Sequence, residues 1–165
     1  MWKDQTEHLE EWTNKKCSEI IFDSNLDDWS WNTSVFDSKV INKSNLIFII
    51  EDENDNKFGG YINTRVSKYG SWVTDENTFI FSLKLNKQNV NKKFNITYPQ
   101  YAFYLHQKSS GYLFGIGGGN DICVRQKGQG QCYCRQFSFN YNRATNALCG
   151  EQNFTPKRII VIQMN

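Results

Sequence analysis

Short segments rich in apolar residues recur along the chain, and polar turns separate them. Residues 46–50 are continuously apolar, which predicts a strand buried on both faces. The acidic and asparagine-rich residues 51–56 predict a hairpin turn between that strand and residues 58–62. Residues 78–85 predict a strand that places four apolar side chains on one face, namely Phe79, Phe81, Leu83 and Leu85. Further strands are predicted at residues 19–23, 94–98, 101–106, 112–116, 122–125, 133–139 and 159–164, whereas the polar residues 86–93 interrupt the pattern.

Two helices are expected. The N-terminal segment, residues 1–16, is predicted to form a helix packed on the domain, with acidic residues in its first turns and lysines in its last. Leu9 and Trp12 mark a narrow apolar face, so this helix is expected to lie on the surface of the core. A second, short helix is predicted over residues 33–40.

The composition agrees with a β-rich fold. A chain of 165 residues has the size of one domain, and we assign residues 1–165 to a single domain. Aromatic residues make up 15% of the chain and only two residues are prolines, which favours strands. Many short strands, frequent turns and two helices predict the mainly β (α+β) class, as a two-layer antiparallel β-sandwich with two peripheral helices.

Charge is distributed unevenly along the chain. The formal net charge is +2, yet residues 1–82 contain 15 acidic and 8 basic residues, whereas residues 83–165 contain 2 acidic and 11 basic residues. The first half therefore has a net charge of −7 and the second half +9. Such asymmetry is typical of proteins that bind an anionic partner, such as nucleic acid or a membrane surface. Alternatively, the two halves fold against each other and their charges interleave.

The cysteines and the N-terminus bear on the cellular compartment. No run of about 18 apolar residues is present, so no membrane insertion is expected. The first residues are charged and no apolar segment follows them, so no secretory signal is predicted. The five cysteines are then expected to be reduced thiols in the cytoplasm, or alternatively in the nucleus.

Two motifs imitate ligand sites without completing them. The glycine-rich residues 115–119 are followed by Asn-Asp instead of the Lys-Ser/Thr of a phosphate loop, so a tight turn is the preferred interpretation. Asp52, Asn54 and Asn56 match the first positions of a calcium loop, but Lys57 stands where glycine is required. These residues therefore predict a hairpin tip, and we predict no metal and no cofactor.

No catalytic residue is predicted. His8 and His106 are the only histidines, the first on a predicted surface helix and the second at the end of an aromatic strand. Neither forms a recognisable arrangement with a serine, a cysteine or a carboxylate. We therefore expect that the protein is not an enzyme.

Three segments carry a resemblance to a known protein family. Residues 57–61 have the sequence Lys-Phe-Gly-Gly-Tyr and precede Trp72, and residues 112–122 have the sequence Tyr-Leu-Phe-Gly-Ile-Gly-Gly-Gly-Asn-Asp-Ile. The ending, residues 154–163, has the sequence Phe-Thr-Pro-Lys-Arg-Ile-Ile-Val-Ile-Gln. In order and spacing these segments resemble the TLDc domain family over nearly the whole chain. One departure is Ile160, where family members usually carry a glutamate.

The resemblance implies a function in the oxidative-stress response. TLDc domains are non-enzymatic modules, so it implies action through protein–protein contacts. Some family members bind the vacuolar proton-pumping ATPase, so the resemblance also implies that complex as a partner.

Two alternative functions rest on basic and thiol side chains and not on the resemblance. A DNA-binding transcriptional regulator would use the basic C-terminal half, where aromatic and basic residues interleave. The candidate DNA contacts are Arg125, Lys127, Arg135, Arg143, Lys157 and Arg158. A thiol-based peroxide sensor would use Cys123, Cys132 and Cys134, because nearby basic residues lower the pKa of a thiol. Binding to duplex DNA and the free-thiol count after peroxide treatment would test these alternatives.

Overall fold

The computed structural model describes residues 3–165, and residues 1 and 2 of the predicted N-terminal segment lie outside the described residues. Within the described range the helices are α1 (Lys3–Thr13) and α2 (Phe36–Val40). The strands are β1 (Cys17–Asp23), β2 (Leu46–Asp52), β3 (Lys57–Ile62), β4 (Trp72–Val73), β5 (Phe79–Leu85), β6 (Gln88–Asn95), β7 (Phe103–Leu105), β8 (Tyr112–Ile116), β9 (Ile122–Arg125), β10 (Cys132–Cys134), β11 (Asn153–Phe154) and β12 (Pro156–Met164). A 3₁₀ turn, Pro99–Tyr101, precedes β7.

The described strands form two six-stranded antiparallel sheets. The first sheet has the order β1-β12-β2-β3-β5-β6 and the second has the order β11-β10-β9-β8-β7-β4. Phe48 of the first sheet contacts Phe103 and Phe114 of the second, with ring centroids 4.8 and 5.1 Å apart. The prediction of a mainly β, two-layer antiparallel sandwich is confirmed.

Strand β2 is buried on both faces, as its continuous apolar sequence predicts. Phe48 and Ile50 face the core between the sheets, whereas Ile47 and Ile49 face the opposite side. Helix α1 covers that outer side through Leu9, which is fully buried, and through Trp12. The hairpin between β2 and β3 is also confirmed, with Ile50 paired to Phe58.

Helix α1 ends earlier than its charge pattern predicts. Asn14 adopts a φ of 54°, the left-handed conformation that commonly terminates a helix. Lys15 and Lys16 therefore follow the helix instead of forming its last turn. Ile160 belongs to the apolar cluster beneath α1, so the position where the family usually has a glutamate is fully buried here.

Helix α2 begins at Phe36, three residues later than predicted, and its main contribution is one aromatic side chain. The Phe36 ring lies 5.0 Å from Phe22 and 5.3 Å from Phe114, measured between centroids. It is fully buried and closes one end of the core between the sheets.

The prediction that residues 86–93 interrupt the strand pattern is wrong, because most of them belong to β6. This strand lies at the edge of the first sheet, where a polar sequence is favourable since lysines discourage pairing with another chain. The one residue of β6 that is buried in the core is Phe94, whose ring centroid lies 5.1 Å from that of Tyr141. Among residues 3–165, neither helix has the length and hydropathy needed to cross a membrane.

Candidate functional site

Exposed aromatic side chains converge at one end of the second sheet. Trp72 comes from β4, Tyr98 precedes the 3₁₀ turn, Tyr101 is the last residue of that turn, and Phe137 lies in the loop after β10. Together they line a groove of about 520 Å³, which we call the aromatic groove. Between 37% (Trp72) and 60% (Phe137) of each residue is exposed, although large aromatic side chains are usually buried.

The floor of the aromatic groove is the glycine-rich turn between β8 and β9. A Cβ atom at Gly118 would lie 2.8 Å from the Tyr101 ring, and one at Gly119 would lie 2.9 Å from the Phe137 ring. Only glycine therefore lets both rings lie against the backbone. The turn leads into strand β9 and not into a helix, which agrees with the preference for a tight turn over a phosphate loop.

A buried carboxylate beneath the turn holds Phe137 in place. Asp121 is fully buried and accepts hydrogen bonds from the backbone N–H of Phe137 at 2.9 Å and of Ser138 at 3.0 Å. The Tyr141 hydroxyl donates a third hydrogen bond at 2.6 Å. Burial raises the pKa of Asp121, and these three donors lower it. The donors also explain why the predicted strand 133–139 ends at Cys134, since these N–H groups bind a side chain instead of a neighbouring strand.

A row of rings continues from the groove across the outer face of the second sheet. The Trp72 ring lies 5.2 Å from Tyr104, Tyr104 lies 4.5 Å from His106, and His106 lies 4.9 Å from Tyr112. The guanidinium of Arg125 then lies 4.3 Å from the centre of the Tyr112 ring and donates to its hydroxyl at 2.8 Å. Aromatic side chains thus form much of this face.

His106 makes the stability of this row depend on pH. Burial lowers its pKa from 6.5 to about 4, so the folded protein binds this proton more weakly than the unfolded chain does. Stability is therefore highest above pH 6.5 and falls as the pH decreases towards 4. We expect unfolding by urea to show a loss of about 1–2 kcal/mol between about pH 7.5 and about pH 5. His106→Phe should remove most of that loss, and an unchanged pH dependence in this variant would contradict the assignment.

Comparison with protein-family models decides the family. The model of the TLDc domain matches residues 1–162. The chain belongs to the TLDc family. A search of curated proteins with this sequence finds no significant match. The TLDc landmarks of the sequence have structural counterparts here, since the Phe-Gly-Gly-Tyr segment forms β3 and the glycine-rich segment forms the groove floor.

The basic residues proposed for DNA contact are divided between the two sheets of this TLDc domain. Arg125 ends β9 beside Tyr112, and the Arg135 guanidinium lies 4.7 Å from the Tyr133 ring centre. The backbone of Lys127 forms an isolated parallel β-bridge with Ser30. Arg143 is exposed in the loop after Tyr141.

Lys157 and Arg158 lie on β12 of the first sheet, and both bind carboxylates. The Arg158 guanidinium donates to both carboxylate oxygens of Asp23, at 3.1 and 2.7 Å, and this pairing lowers the pKa of Asp23. Lys157 lies 3.7 Å from Asp55. Of the six candidate DNA contacts, Lys157 and Arg158 form ion pairs, whereas Arg125, Lys127, Arg135 and Arg143 form none with the described residues.

The three cysteines proposed as redox residues are buried. Cys132 and Cys134 both face the core between the sheets, because alternate residues of a strand point to the same side. Burial raises the pKa of Cys132 to about 11 and that of Cys134 well above its usual value. Cys123 is also buried, and although Arg125 and Arg135 lower its pKa, burial outweighs them and raises it.

The residues that imitate a calcium loop form a hairpin tip. Asp52 accepts hydrogen bonds from the backbone N–H of Asn54 and of Asn56, both at 2.9 Å, and from the Asn56 side chain. The carboxylate thereby accepts hydrogen bonds from the donors of the turn itself, which leaves the turn stabilised without a metal ion. Within residues 3–165 no group of histidines, cysteines and carboxylates is placed to hold a metal ion.

The aromatic groove was missed by reasoning from the sequence. In the sequence Trp72 is only a family landmark, and Phe137 falls within the predicted strand 133–139, which ends at Cys134 in the structure. Its position depends on Asp121, which lies far away in sequence.

Proposed function

We propose that this TLDc domain is a non-catalytic module of the oxidative-stress response and that it binds another protein through the aromatic groove. The observation that supports this most directly is the set of four exposed rings over a glycine floor. Aromatic side chains are enriched among the residues that dominate binding energy in protein interfaces. Asp121 fixes the backbone of the Phe137 loop before a partner binds, which lowers the entropic cost of binding.

The proposed occupant is an acidic segment of a partner protein with one apolar anchor residue. Apart from Trp72, the groove is built from residues 83–165, which have a net charge of +9. One of the two carboxylates in that half, Asp121, is buried, and Arg135 lies two residues from Phe137 without an ion pair among the described residues. Charge complementarity therefore favours a partner with acidic residues on both sides of its anchor.

The vacuolar proton-pumping ATPase is the first partner to test, because some members of the family bind it. The proposal places the module in the cytoplasm or the nucleus, where its five free cysteines would remain reduced.

Binding to the purified cytoplasmic sector of the vacuolar ATPase, measured by biolayer interferometry, tests the proposal. Removing a buried aromatic anchor from an interface costs about 2 kcal/mol or more. We therefore expect Phe137→Ala and Trp72→Ala each to weaken binding by about thirtyfold. Leu26→Ala is the matched control, since Leu26 is 85% exposed outside the groove, and this variant should bind like the wild type.

Two results would contradict this proposal. The first is absence of binding by the wild type, which would remove the vacuolar ATPase as the partner. The second is equal binding by the groove variants and the Leu26 control, which would remove the groove. A duplex DNA in place of the ATPase should bind weakly. Tight DNA binding that falls steeply with salt and is lost on charge reversal of Arg135 and Arg143 would favour the DNA-binding alternative.

A further inference from the structure

Two cysteine thiols from different parts of the chain meet in the core between the sheets. Cys134 is the last residue of β10, and Cys149 lies in the segment that leads to β11. Both are buried in the same apolar cluster, and their thiols are hydrogen-bonded to each other.

The backbone around both cysteines is held by hydrogen bonds that do not involve the thiols. The N–H of Cys134 donates to the carbonyl of Gln152 at 2.7 Å, which ties the end of β10 to the cysteine-containing segment. The carbonyl of Cys149 accepts from the Asn56 side chain at 2.9 Å. The fold therefore holds the two thiols close together without any change of the backbone.

The environments of the two thiols differ. Burial raises the pKa of Cys134 well above its usual value. The pKa of Cys149 is lowered, chiefly because the Cys134 thiol donates a hydrogen bond to it, and the Cys149 thiol itself donates to the backbone carbonyl of Glu151 at 2.9 Å. Cys149 is accordingly the more readily ionised thiol, and the thiolate is the form that reacts with oxidants.

A solvent-open cavity reaches one thiol of this pair. It has a volume of about 490 Å³ and is lined by Cys134 and by the chain neighbours of Cys149, among them Leu148 and Glu151, whereas Cys149 itself does not line it. Hydrogen peroxide is close to water in size, and the cavity has room for it.

We propose that Cys134 and Cys149 form a reversible intramolecular disulfide when the protein meets hydrogen peroxide. The Cys149 thiolate attacks one peroxide oxygen, an S–O bond forms, the O–O bond breaks, and the departing hydroxide takes a proton to become water. The Cys134 sulfur then attacks the sulfur of the Cys149 sulfenic acid. An S–S bond forms, the S–O bond breaks, and a second water leaves with the proton of Cys134. The two thiols are oxidised and one peroxide is reduced to two waters.

The other cysteines are less suited to this reaction. Cys123 and Cys132 lie on adjacent strands, but Cys132 faces the core whereas Cys123 lies directly opposite Tyr133, whose hydroxyl is hydrogen-bonded to it. The Cys132 sulfur accepts the backbone N–H of Arg125 at 3.3 Å. Cys17 belongs to the cluster beneath α1, on the other side of the first sheet. The proposal does not depend on binding at the aromatic groove.

Mass spectrometry of the whole chain tests the proposal. The reduced protein is treated with hydrogen peroxide, alkylated under denaturing conditions and digested with trypsin. We expect the free-thiol count to fall from five to three, with peptide 128–135 linked to peptide 144–157, and dithiothreitol should reverse both changes. Because peptide 128–135 contains both Cys132 and Cys134, the Cys132→Ser variant identifies the linked residue and should form the same disulfide.

Two further variants establish the order of the steps. In Cys134→Ser, the sulfenic acid of Cys149 should accumulate and be trapped by dimedone, because its resolving thiol is missing. In Cys149→Ser, neither the disulfide nor the trapped sulfenic acid should form. A wild-type protein that keeps five free thiols after peroxide would overturn the proposal, as would a disulfide that persists in Cys149→Ser. The wild-type measurement stands alone if a variant fails to fold.

Discussion

Replacing Asp121 by alanine is expected to lower the free energy of unfolding by about 3–5 kcal/mol, because three donors lose their acceptor. These are the backbone N–H groups of Phe137 and Ser138 and the hydroxyl of Tyr141. Ser138 is buried, so water cannot replace the lost acceptor without opening the loop. Urea unfolding monitored by circular dichroism measures the change.

The matched control for Asp121→Ala is Tyr141→Phe. This variant removes one of the three donors and keeps the carboxylate with the other two, so we expect a loss of only about 1 kcal/mol. A loss in Asp121→Ala that is no larger than that in Tyr141→Phe would mean that the carboxylate does not organise the loop.

Replacing Gly59 by alanine is expected to cost more than about 3 kcal/mol, because a well-packed sheet has no room for the added methyl group. A Cβ atom at residue 59 would overlap the backbone carbonyl oxygen of Phe48 on the neighbouring strand and would lie 3.1 Å from the Phe81 ring. The first contact is with backbone, so β2 and β3 would have to separate. Thermal and urea unfolding give the size of this loss.

Gly128→Ala separates this packing effect from the loss of glycine's conformational freedom. Gly128 has a φ of +77°, and an added Cβ atom would meet no atom within 4 Å. The left-handed backbone alone should cost about 1–2 kcal/mol. If Gly59→Ala were no more destabilising than Gly128→Ala, the close approach of β2 and β3 would be incorrect.

The central strands could be predicted from the sequence because their environment is uniform. Every residue of the segment 46–50 is buried, so its apolar run identifies β2 without further information. The strand at 88–95 could not be predicted in this way, because an edge strand has one side exposed and its composition resembles that of a loop. Hydrophobic periodicity is informative only where one face of an element is buried.

The aromatic groove and the cysteine pair depend on contacts between residues distant in sequence. Phenylalanine is a residue type usually found in the core, and only the hydrogen bond from the backbone N–H of Phe137 to Asp121 turns its loop outward. Cys134 and Cys149 meet because the backbone N–H of Cys134, at the end of β10, donates to the carbonyl of Gln152, just before β11. No local pattern encodes either arrangement, whereas the glycine-rich segment beneath the groove predicts a tight turn from the sequence alone.

Nuclear magnetic resonance of the ¹⁵N-labelled protein tests the aromatic groove as a binding surface most directly. The probe is a short peptide with one central phenylalanine flanked by glutamates, and its matched control has lysines in place of the glutamates. We predict that the glutamate peptide shifts the Trp72 indole and the Gly118 and Gly119 amide resonances most strongly, and that the lysine peptide binds several times more weakly. Shifts confined to α1 or to the hairpin tip at residues 52–56, equal affinity for the two peptides, or no shift at the groove would contradict the account.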